Sequence, residues 1–204
     1  MRMKKMNKGM LIVVSGPSGV GKGTVLSKVF ESDNNLAYSV SCTTRKPREG
    51  ETDGVHYRFL TEKEFLENIA QNRMLEYTVY CDNYYGTDAQ YVEKLRESGT
   101  DVVLEIETNG ALNIISKCPD AVTVFIAPPS LEHLYLRLSG RATESRDVIE
   151  KRFIKAKEEL ARIDNYEYLV INDSVEKAAE DILAVLRAER IKKYNKNNFR
   201  GVLL

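Results

Sequence analysis

The sequence predicts an α/β fold of three layers, with helices on both faces of a central parallel sheet. Three observations predict it: strand patterns, helical patterns between them, and a glycine-rich turn after the first strand. Apolar runs rich in β-branched residues, typical of strands buried on both faces, lie at residues 10–14, 102–106, 122–126 and 168–171. Amphipathic patterns that predict helices lie at residues 21–30, 108–117 and 175–190. Strands and helices that alternate in this way favour a parallel sheet.

Residues 38–86 interrupt this alternation with short runs rich in tyrosine and threonine. One helix is predicted there, from residue 62 to about residue 71, because Thr61 and Glu64 have the spacing of a capping box. We interpret the segment as an inserted β-rich subdomain that spans about residues 38–94.

The segment from residue 128 to about residue 164 is strongly charged and has a helical pattern, with Ser130 as a candidate N-cap. We expect a helical hairpin that covers one side of the sheet. The core of this single domain is then assigned to about residues 9–37, 95–127 and 165–195.

The composition limits the classes of protein to which the chain can belong. Its 204 residues, 43% of them hydrophobic and 29% charged, suffice for a buried core. Thirty basic side chains balance thirty acidic ones, so nucleic-acid binding through a global positive field is not expected. The three cysteines have no CxxC spacing, and the first apolar run is too short for a membrane span. We therefore expect a cytoplasmic protein without membrane contact, whose oligomeric state stays open.

The glycine-rich turn after the first strand has the G-x-x-x-x-G-K spacing of a phosphate-binding loop. Its glycines allow successive N–H groups to point inward, the following helix adds partial positive charge, and Lys22 can reach the β and γ phosphates. Taken alone, the pattern also fits a plain turn between a strand and a helix. The predicted ATP-binding residues of the loop are Gly16, Pro17, Ser18, Gly19, Val20, Gly21, Lys22, Gly23 and Thr24.

The residue after Lys22 is Gly23, at the position where a serine or threonine usually contacts magnesium. The first hydroxyl arrives at Thr24. We therefore expect Thr24 to be the candidate Mg²⁺ contact, with phosphate oxygens and water supplying most of the ligands.

A second cluster of positive charge lies around Pro47, where Arg45 and Arg48 flank a stiffened turn. Guanidinium groups bind phosphate oxygens bidentately, so the turn is a candidate clamp for a second phosphate. Its charge alone fits a solvated basic loop better.

The motifs that follow the arginine turn resemble the guanylate kinase family. They run in family order through nearly the whole chain, at residues 54–59, 75–77, 83–87, 104–107, 127–130, 140–144 and 170–173. The resemblance implies a P-loop fold with a GMP-binding subdomain and a helical lid, formed by the charged hairpin. It implies direct in-line transfer from MgATP to GMP, giving ADP and GDP for purine nucleotide supply, with dGMP also accepted.

The resemblance also implies an acceptor site. Arg45, Arg48, Tyr57 and Tyr85 would hold the GMP phosphate, Ser41, Glu76 and Thr87 would read the base, and Glu105 would contact the base or the magnesium network. The chemistry of guanine supports Glu76 independently, because a carboxylate can accept from both N1–H and the N2 amino group.

For the donor, the resemblance implies lid arginines and an adenine contact. Arg137 and Arg141 would bind ATP and Asn172 would contact adenine, although an asparagine after a strand is also an ordinary turn residue. The catalytic set is Lys22, Arg48, Arg141 and Arg152, and no histidine is required. The chain departs from the family pattern at three positions: His56, Asn109 and Ala142.

Two other functions are compatible with parts of the sequence. A kinase for another phosphorylated acceptor, such as a ribose bisphosphate, would not need the guanine-reading set of Ser41, Glu76 and Thr87. A non-enzymatic peptide-binding module generally lacks the loop or the lid arginines, and this chain keeps both. The sequence therefore favours the enzyme.

Overall fold

The computed structural model describes residues 8–80, 82–140 and 146–192. This part of the chain contains nine strands and seven α-helices: β1 (Leu11–Ser15), α1 (Lys22–Ser32), β2 (Leu36–Tyr38), β3 (Cys42–Thr43), β4 (Arg58–Phe59), α2 (Glu62–Ala70), β5 (Met74–Tyr80), β6 (Asn83–Asp88), α3 (Ala89–Glu97), β7 (Asp101–Glu105), α4 (Thr108–Lys117), β8 (Val122–Ala127), α5 (Leu131–Ser139), α6 (Arg146–Leu160), β9 (Tyr168–Ile171) and α7 (Val175–Arg190). The predicted α/β class is confirmed.

The central sheet is parallel throughout, with the described strands in the order β2-β7-β1-β8-β9. Strand β1 is its middle strand, where Val13 lies opposite Leu104 on one side and Thr123 on the other. The loop that follows β1 therefore starts at the middle of the sheet, between the ends of β7 and β8. In open α/β sheets, ligands bind outside the carboxyl ends of strands at such a position.

The two faces of β1 carry separate parts of the core, which explains its continuous apolar sequence. On one face Ile12 and Val14 pack in a cluster with α1 and α7 residues such as Leu26 and Ile182. On the other face Val13 packs in a cluster with residues of α3 and α4. The three-layer prediction is therefore confirmed.

A second sheet follows the order β4-β3-β6-β5 and lies in the segment predicted as β-rich. Helix α2 packs on it through Phe65, which is fully buried with Cys42 and Met74. The predicted capping box is present, because Thr61 Oγ1 accepts from the Glu64 amide and Glu64 accepts from the Thr61 amide.

Helices α5 and α6 form the predicted hairpin. Leu134 and Leu138 of α5 pack on Ala156 of α6, and all three are fully buried. Ser130 caps α5 as expected, by accepting a hydrogen bond from the His133 amide at 3.2 Å. None of the described helices combines the length and apolar character needed to cross a bilayer.

Candidate active site

The loop between β1 and α1 depends on a glycine with a left-handed backbone conformation. Gly21 has a φ of 92° and a ψ of 26°, in the left-handed region, immediately before the first residue of α1. A Cβ atom there would lie 2.8 Å from Asn172 Nδ2, so position 21 requires glycine for space as well as for its backbone angles. Within the described chain no side chain caps α1. Its first amides can therefore bind an anion.

Lys22 folds back over this loop. Its Nζ donates to the Gly16 carbonyl oxygen at 2.7 Å and to the Pro17 carbonyl oxygen at 3.3 Å. Burial lowers the pKa of Lys22, and the negative charges of Glu105, Glu159 and Glu107 act in the opposite direction. The ammonium group thus lies beside the loop, among carboxylates that favour its charged form.

Arg137 and Asn172 both bind the loop backbone at Val20. The Val20 carbonyl oxygen accepts from Asn172 Nδ2 at 2.7 Å and from Arg137 Nη1 at 3.1 Å. Arg137 Nη2 also donates to the Asn172 carbonyl oxygen at 2.9 Å. Asn172 Oδ1 is buried and has no hydrogen-bond partner among the described residues, so this acceptor is available to a ligand.

Helix α6 reaches the loop at Ser18. Arg152 Nη2 donates to Ser18 Oγ at 2.9 Å, and the Ser18 amide donates to Glu159 Oε2 at 3.2 Å. Arg152 thus lies at the phosphate-binding loop, whereas Arg141 falls outside the described residues. Glu159 was not identified from the sequence.

The arginine turn is organised by Glu51. Arg45 donates from Nη1 and Nη2 to the two carboxylate oxygens of Glu51 at 2.9 and 2.8 Å, and the Arg48 amide donates to Glu51 Oε2 at 2.8 Å. These hydrogen bonds, from Arg45 first and then from Arg48, lower the pKa of Glu51 to about 2. The side chain of Arg48 is exposed.

Two tyrosines stand beside this turn. The Arg45 guanidinium lies over the Tyr57 ring, 5.4 Å from its centroid. The Tyr57 and Tyr85 rings meet edge to face, with centroids 6.1 Å apart. The structure therefore brings Arg45, Tyr57 and Tyr85 together.

A cavity of about 270 Å³ opens between the second sheet and the end of β7. Small-molecule pockets start at about 300 Å³, so the size suits part of a small ligand such as a base. The cavity collects most of the predicted acceptor residues and several that sequence reasoning missed. Its lining consists of Ser41, Tyr57, Glu76, Thr78, Tyr85, Gly86, Glu105, Ile106, Glu107 and Gly110.

Glu76 is the buried carboxylate of this cavity, with only 4% of its surface exposed. It lies opposite Thr87 in the antiparallel pairing of β5 and β6, and Thr87 Oγ1 donates to Glu76 Oε1 at 2.9 Å. Burial raises the pKa of Glu76, against the opposing effects of the Thr87 hydrogen bond and Lys117. The second oxygen, Oε2, lies so close to Gly110 that an added Cβ would approach it to 2.8 Å.

Glu105 and Glu107 extend the cavity toward the phosphate loop. A Cβ at position 23 would lie 3.8 Å from both carboxylate oxygens of Glu105, which places that side chain over the loop. Partial desolvation by the cleft walls raises the pKa of Glu105, and Lys22 lowers it. An adjoining cleft is lined by Lys22, Glu105 and Glu107 together. The two cavities adjoin and share the lining residues Ser41, Tyr57, Glu105, Ile106 and Glu107.

Two of the missed cavity residues have a signal in the sequence. Glu107 lies two residues beyond the carboxyl end of β7, where ligand groups gather in such sheets. Gly110 lies inside the helical pattern of α4, and an isolated glycine in such a pattern often has a packing reason.

The family model described as guanylate kinase matches residues 8–189. The chain belongs to the guanylate kinase family. A guanylate kinase from Lactococcus lactis subsp. lactis is 55% identical over 182 residues, which are 89% of this chain and 89% of that protein. A guanylate kinase from Bacillus cereus is 49% identical over 204 residues, covering 97% of this chain and 100% of that protein.

A solved structure supports membership of the guanylate kinase family. The crystal structure of guanylate kinase from Anaplasma phagocytophilum has a TM-score of 0.73 and 31% sequence identity, with 91% of this chain and 88% of that chain covered. Both the loop and the cavity that contains Glu76 lie within the residues that the family model matches.

Two of the three residues that depart from the family pattern lie in the described part of the chain, and each makes a hydrogen bond there. His56 Nδ1 accepts from the Thr52 amide at 3.0 Å, within the loop before β4. Asn109 Oδ1 accepts from Arg162 Nη1, which joins α4 to the end of the α5–α6 hairpin. Ala142 falls outside the described residues.

Proposed function

We propose that this member of the guanylate kinase family transfers the γ-phosphoryl group of ATP to the phosphate of GMP, giving ADP and GDP. One observation carries the proposal. The cleft that contains Lys22 of the phosphate loop adjoins the cavity that contains the buried carboxylate of Glu76, and the two share the lining residues Ser41, Tyr57, Glu105, Ile106 and Glu107. A donor phosphate on the loop and a nucleotide in the cavity would thus lie next to each other.

The donor is proposed to bind residues 16–24. The amides at the start of α1 and the Lys22 ammonium would hold its β and γ phosphates. Arg137 and Asn172 support the loop through Val20. We further propose that the free buried Oδ1 of Asn172 accepts from the adenine amino group.

The acceptor phosphate is proposed to bind the arginine turn. Arg45 is already oriented by Glu51 and stands beside Tyr57 and Tyr85. Arg48 is exposed and can turn toward the ligand. Fixed guanidinium groups and tyrosine hydroxyls are suited to the oxygens of a monophosphate.

The base is proposed to be read by Glu76 with Thr87 and Ser41. Guanine presents two adjacent donors, N1–H and the N2 amino group, to a carboxylate that only accepts. Adenine would place its N1 acceptor against the same carboxylate. Because unpaired buried polar groups cost several kcal/mol, one glutamate can discriminate by about a thousandfold.

The chemical step needs charge stabilisation more than proton transfer. The acceptor phosphate is already ionised near neutral pH, so we propose direct in-line attack without a phosphoenzyme. Lys22, Arg48 and Arg152 are proposed to stabilise the transferring group, and we assign the same role to Arg141. A single arginine in this role can contribute about three to five orders of magnitude in rate.

Mg²⁺ is the proposed cofactor of the donor. When bound, it would neutralise negative charge on the donor phosphates. Thr24 is exposed in the first turn of α1, and the Glu105 oxygens face Gly23, so the oxygen donors present fit a hard cation. No cluster of three or more His, Cys, Asp or Glu in the described residues could hold a metal. Phosphate oxygens and water would complete the site.

We also propose a three-part division of the domain. The core would comprise about residues 9–37, 95–127 and 165–195, the GMP-binding subdomain about 38–94, and the lid about 128–164. Closure of the outer two parts over the core would exclude water and suppress ATP hydrolysis. Free thiols at Cys42 and Cys118 suit a reducing cytoplasm.

The proposal is tested by product analysis with the purified full chain. ATP labelled at the γ position, Mg²⁺ and GMP should give labelled GDP and unlabelled ADP. Lys22→Ala should lower the rate by at least about a hundredfold, whereas Lys28→Ala, on the exposed face of the same helix, should not change it. Absence of labelled GDP with the wild type would reject the proposed function.

A further inference from the structure

Glu159 brings a buried carboxylate to an amide of the phosphate loop. It lies in α6, only 6% of its surface is exposed, and its Oε2 accepts from the Ser18 amide at 3.2 Å. Amides of such a loop are the donors that bind phosphate oxygens. The Glu159 carboxylate therefore occupies an amide donor that a phosphate oxygen could otherwise use.

The same helix contacts Ser18 at a second point. Arg152 lies seven residues before Glu159, which is about two helical turns, so both side chains lie on one face. Arg152 Nη2 donates to Ser18 Oγ at 2.9 Å. Helix α6 thus binds both the hydroxyl and the amide of Ser18.

Lys155 lies between these contacts and links them to the acceptor cavity. Its Nζ is 4.0 Å from Glu159 Oε1 and 3.2 Å from Glu107 Oε2. Glu107 lines the cavity that contains Glu76. The contacts of α6 therefore reach both the donor loop and the acceptor cavity.

Two features of its position disfavour a charged carboxylate at Glu159: its burial and the end of the helix. Burial raises its pKa, while the Ser18 amide, Lys155 and Lys22 act in the opposite direction and Glu107 adds to the increase. Glu159 also lies in the last turn of α6, where the helix dipole disfavours negative charge. Residues kept at such a cost are commonly functional.

A donor phosphate and Glu159 compete for the same place. Two acceptors of one N–H would lie within about 3–4 Å of each other, where like charges repel strongly in a partly desolvated cleft. A triphosphate bound to the loop therefore requires the Glu159 carboxylate to move away from the Ser18 amide.

We infer that Glu159 is a positioning residue of the donor site, a role that rests on the proposed function. Its carboxylate joins α6 to the Ser18 amide of the loop, and the donor phosphate displaces it. Glu159 thereby lowers donor affinity.

The test compares Glu159→Gln with Glu158→Gln, an exposed neighbour that undergoes the same change of charge. Binding of a fluorescent ADP and of a non-hydrolysable ATP analogue is measured by titration of the full chain. Glu159→Gln should bind both about tenfold more tightly, because a like charge beside the phosphate is removed. Its KM for ATP should fall without a rise in kcat, and GMP affinity should stay unchanged. Glu158→Gln should match the wild type.

Glu159→Ala is the second variant, since it removes the acceptor as well as the charge, and circular dichroism checks that both variants fold. Unchanged or weaker donor binding in folded variants would overturn the inference. If the wild type itself bound no donor, the proposed function and this inference would both fail. Donor binding to the wild type without tightening in the variants rejects the inference alone.

Discussion

Arg45 and Glu51 form a two-point ion pair in which each guanidinium Nη atom donates to one carboxylate oxygen. The pair orients Arg45 beside Tyr57, and Glu51 also accepts from the Arg48 amide. These contacts fix the geometry of the turn that we propose as the acceptor-phosphate clamp, which would reduce the entropy lost on binding.

We expect Glu51→Gln to raise the KM for GMP by about tenfold, because a bidentate charged contact is lost and the turn loosens. The KM for ATP should not change. Glu49→Gln, an exposed change on the same turn, is the control. Steady-state kinetics with each substrate varied distinguish the two effects, and a lower KM for GMP in Glu51→Gln would contradict the positioning role.

The same pair sets a pH dependence. Because the pKa of Glu51 is lowered to about 2, the pair is intact above the ordinary carboxyl pKa and is lost only as pH falls through about 2. GMP affinity should therefore show no loss from this pair between about pH 5 and 9. A decrease in that range that disappears in Glu51→Gln would contradict the assignment.

Gly110 leaves room for the Glu76 carboxylate at the start of α4. In Gly110→Ala the new Cβ would approach Glu76 Oε2 to 2.8 Å and displace it. We expect GMP affinity to fall by about tenfold or more, while donor binding stays unchanged. The helix itself should not be destabilised, because alanine is a better helix former than glycine. Asn113→Ala, exposed on the same helix, is the control, and calorimetric titration with GMP gives the result. Wild-type GMP affinity in Gly110→Ala would contradict the close approach.

Glu76 should carry a cost in stability. Burial raises the pKa of Glu76 in the folded protein, so the folded state favours the protonated carboxyl. The free energy of unfolding therefore falls as pH rises through that raised pKa and Glu76 becomes charged. At about pH 8 the nucleotide-free Glu76→Gln variant should therefore melt above the wild type, by about 2–4 °C for each kcal/mol recovered. Near pH 4 the difference should vanish. Thermal melts at both values test this, and a variant that melts lower at pH 8 would contradict it.

Arg190 joins α7 to the amino-terminal end of β7 and to the end of α1. Its Nε donates to Asp101, which is fully buried, and its Nη1 donates to Asp33. We expect Arg190→Ala to lower the free energy of unfolding by about 3 kcal/mol, since the buried carboxylate loses its cationic partner. Urea unfolding gives the value, and the exposed Arg187→Ala is the control. Equal stability of the two variants would contradict the prediction.

Most of the central sheet was predictable because β1, β7 and β8 are almost fully buried and therefore have continuous apolar sequences. Strand β9 was predicted to be buried on both faces, but it lies at the edge of the sheet, and its Leu169 and Ile171 are exposed. The pattern at residues 168–171 gave the bounds of β9, and those at 108–117 and 175–190 gave α4 and α7. Strand β2 was missed, because it has three residues that are not fully buried. Helix α3 was missed as well, since Val92 is its only fully buried apolar residue among those described.

The site was only partly predictable for a different reason. Motif spacing predicted the loop, and family order predicted Glu76 and the arginine turn. Glu51 and Glu159 look like ordinary charged surface residues in the sequence, because their partners lie across a turn or on another element. Only the fold shows that each carboxylate binds a group that a phosphate would need.

The central claim is that the Glu76 cavity selects guanine. It is tested most directly by the ratio of kcat/KM for GMP to that for AMP, in the wild type and in Glu76→Gln. We predict a wild-type preference for GMP of about a thousandfold or more, which falls by at least tenfold in the variant. Comparable turnover of GMP and AMP by the wild type, or an unchanged ratio in Glu76→Gln, would contradict the account.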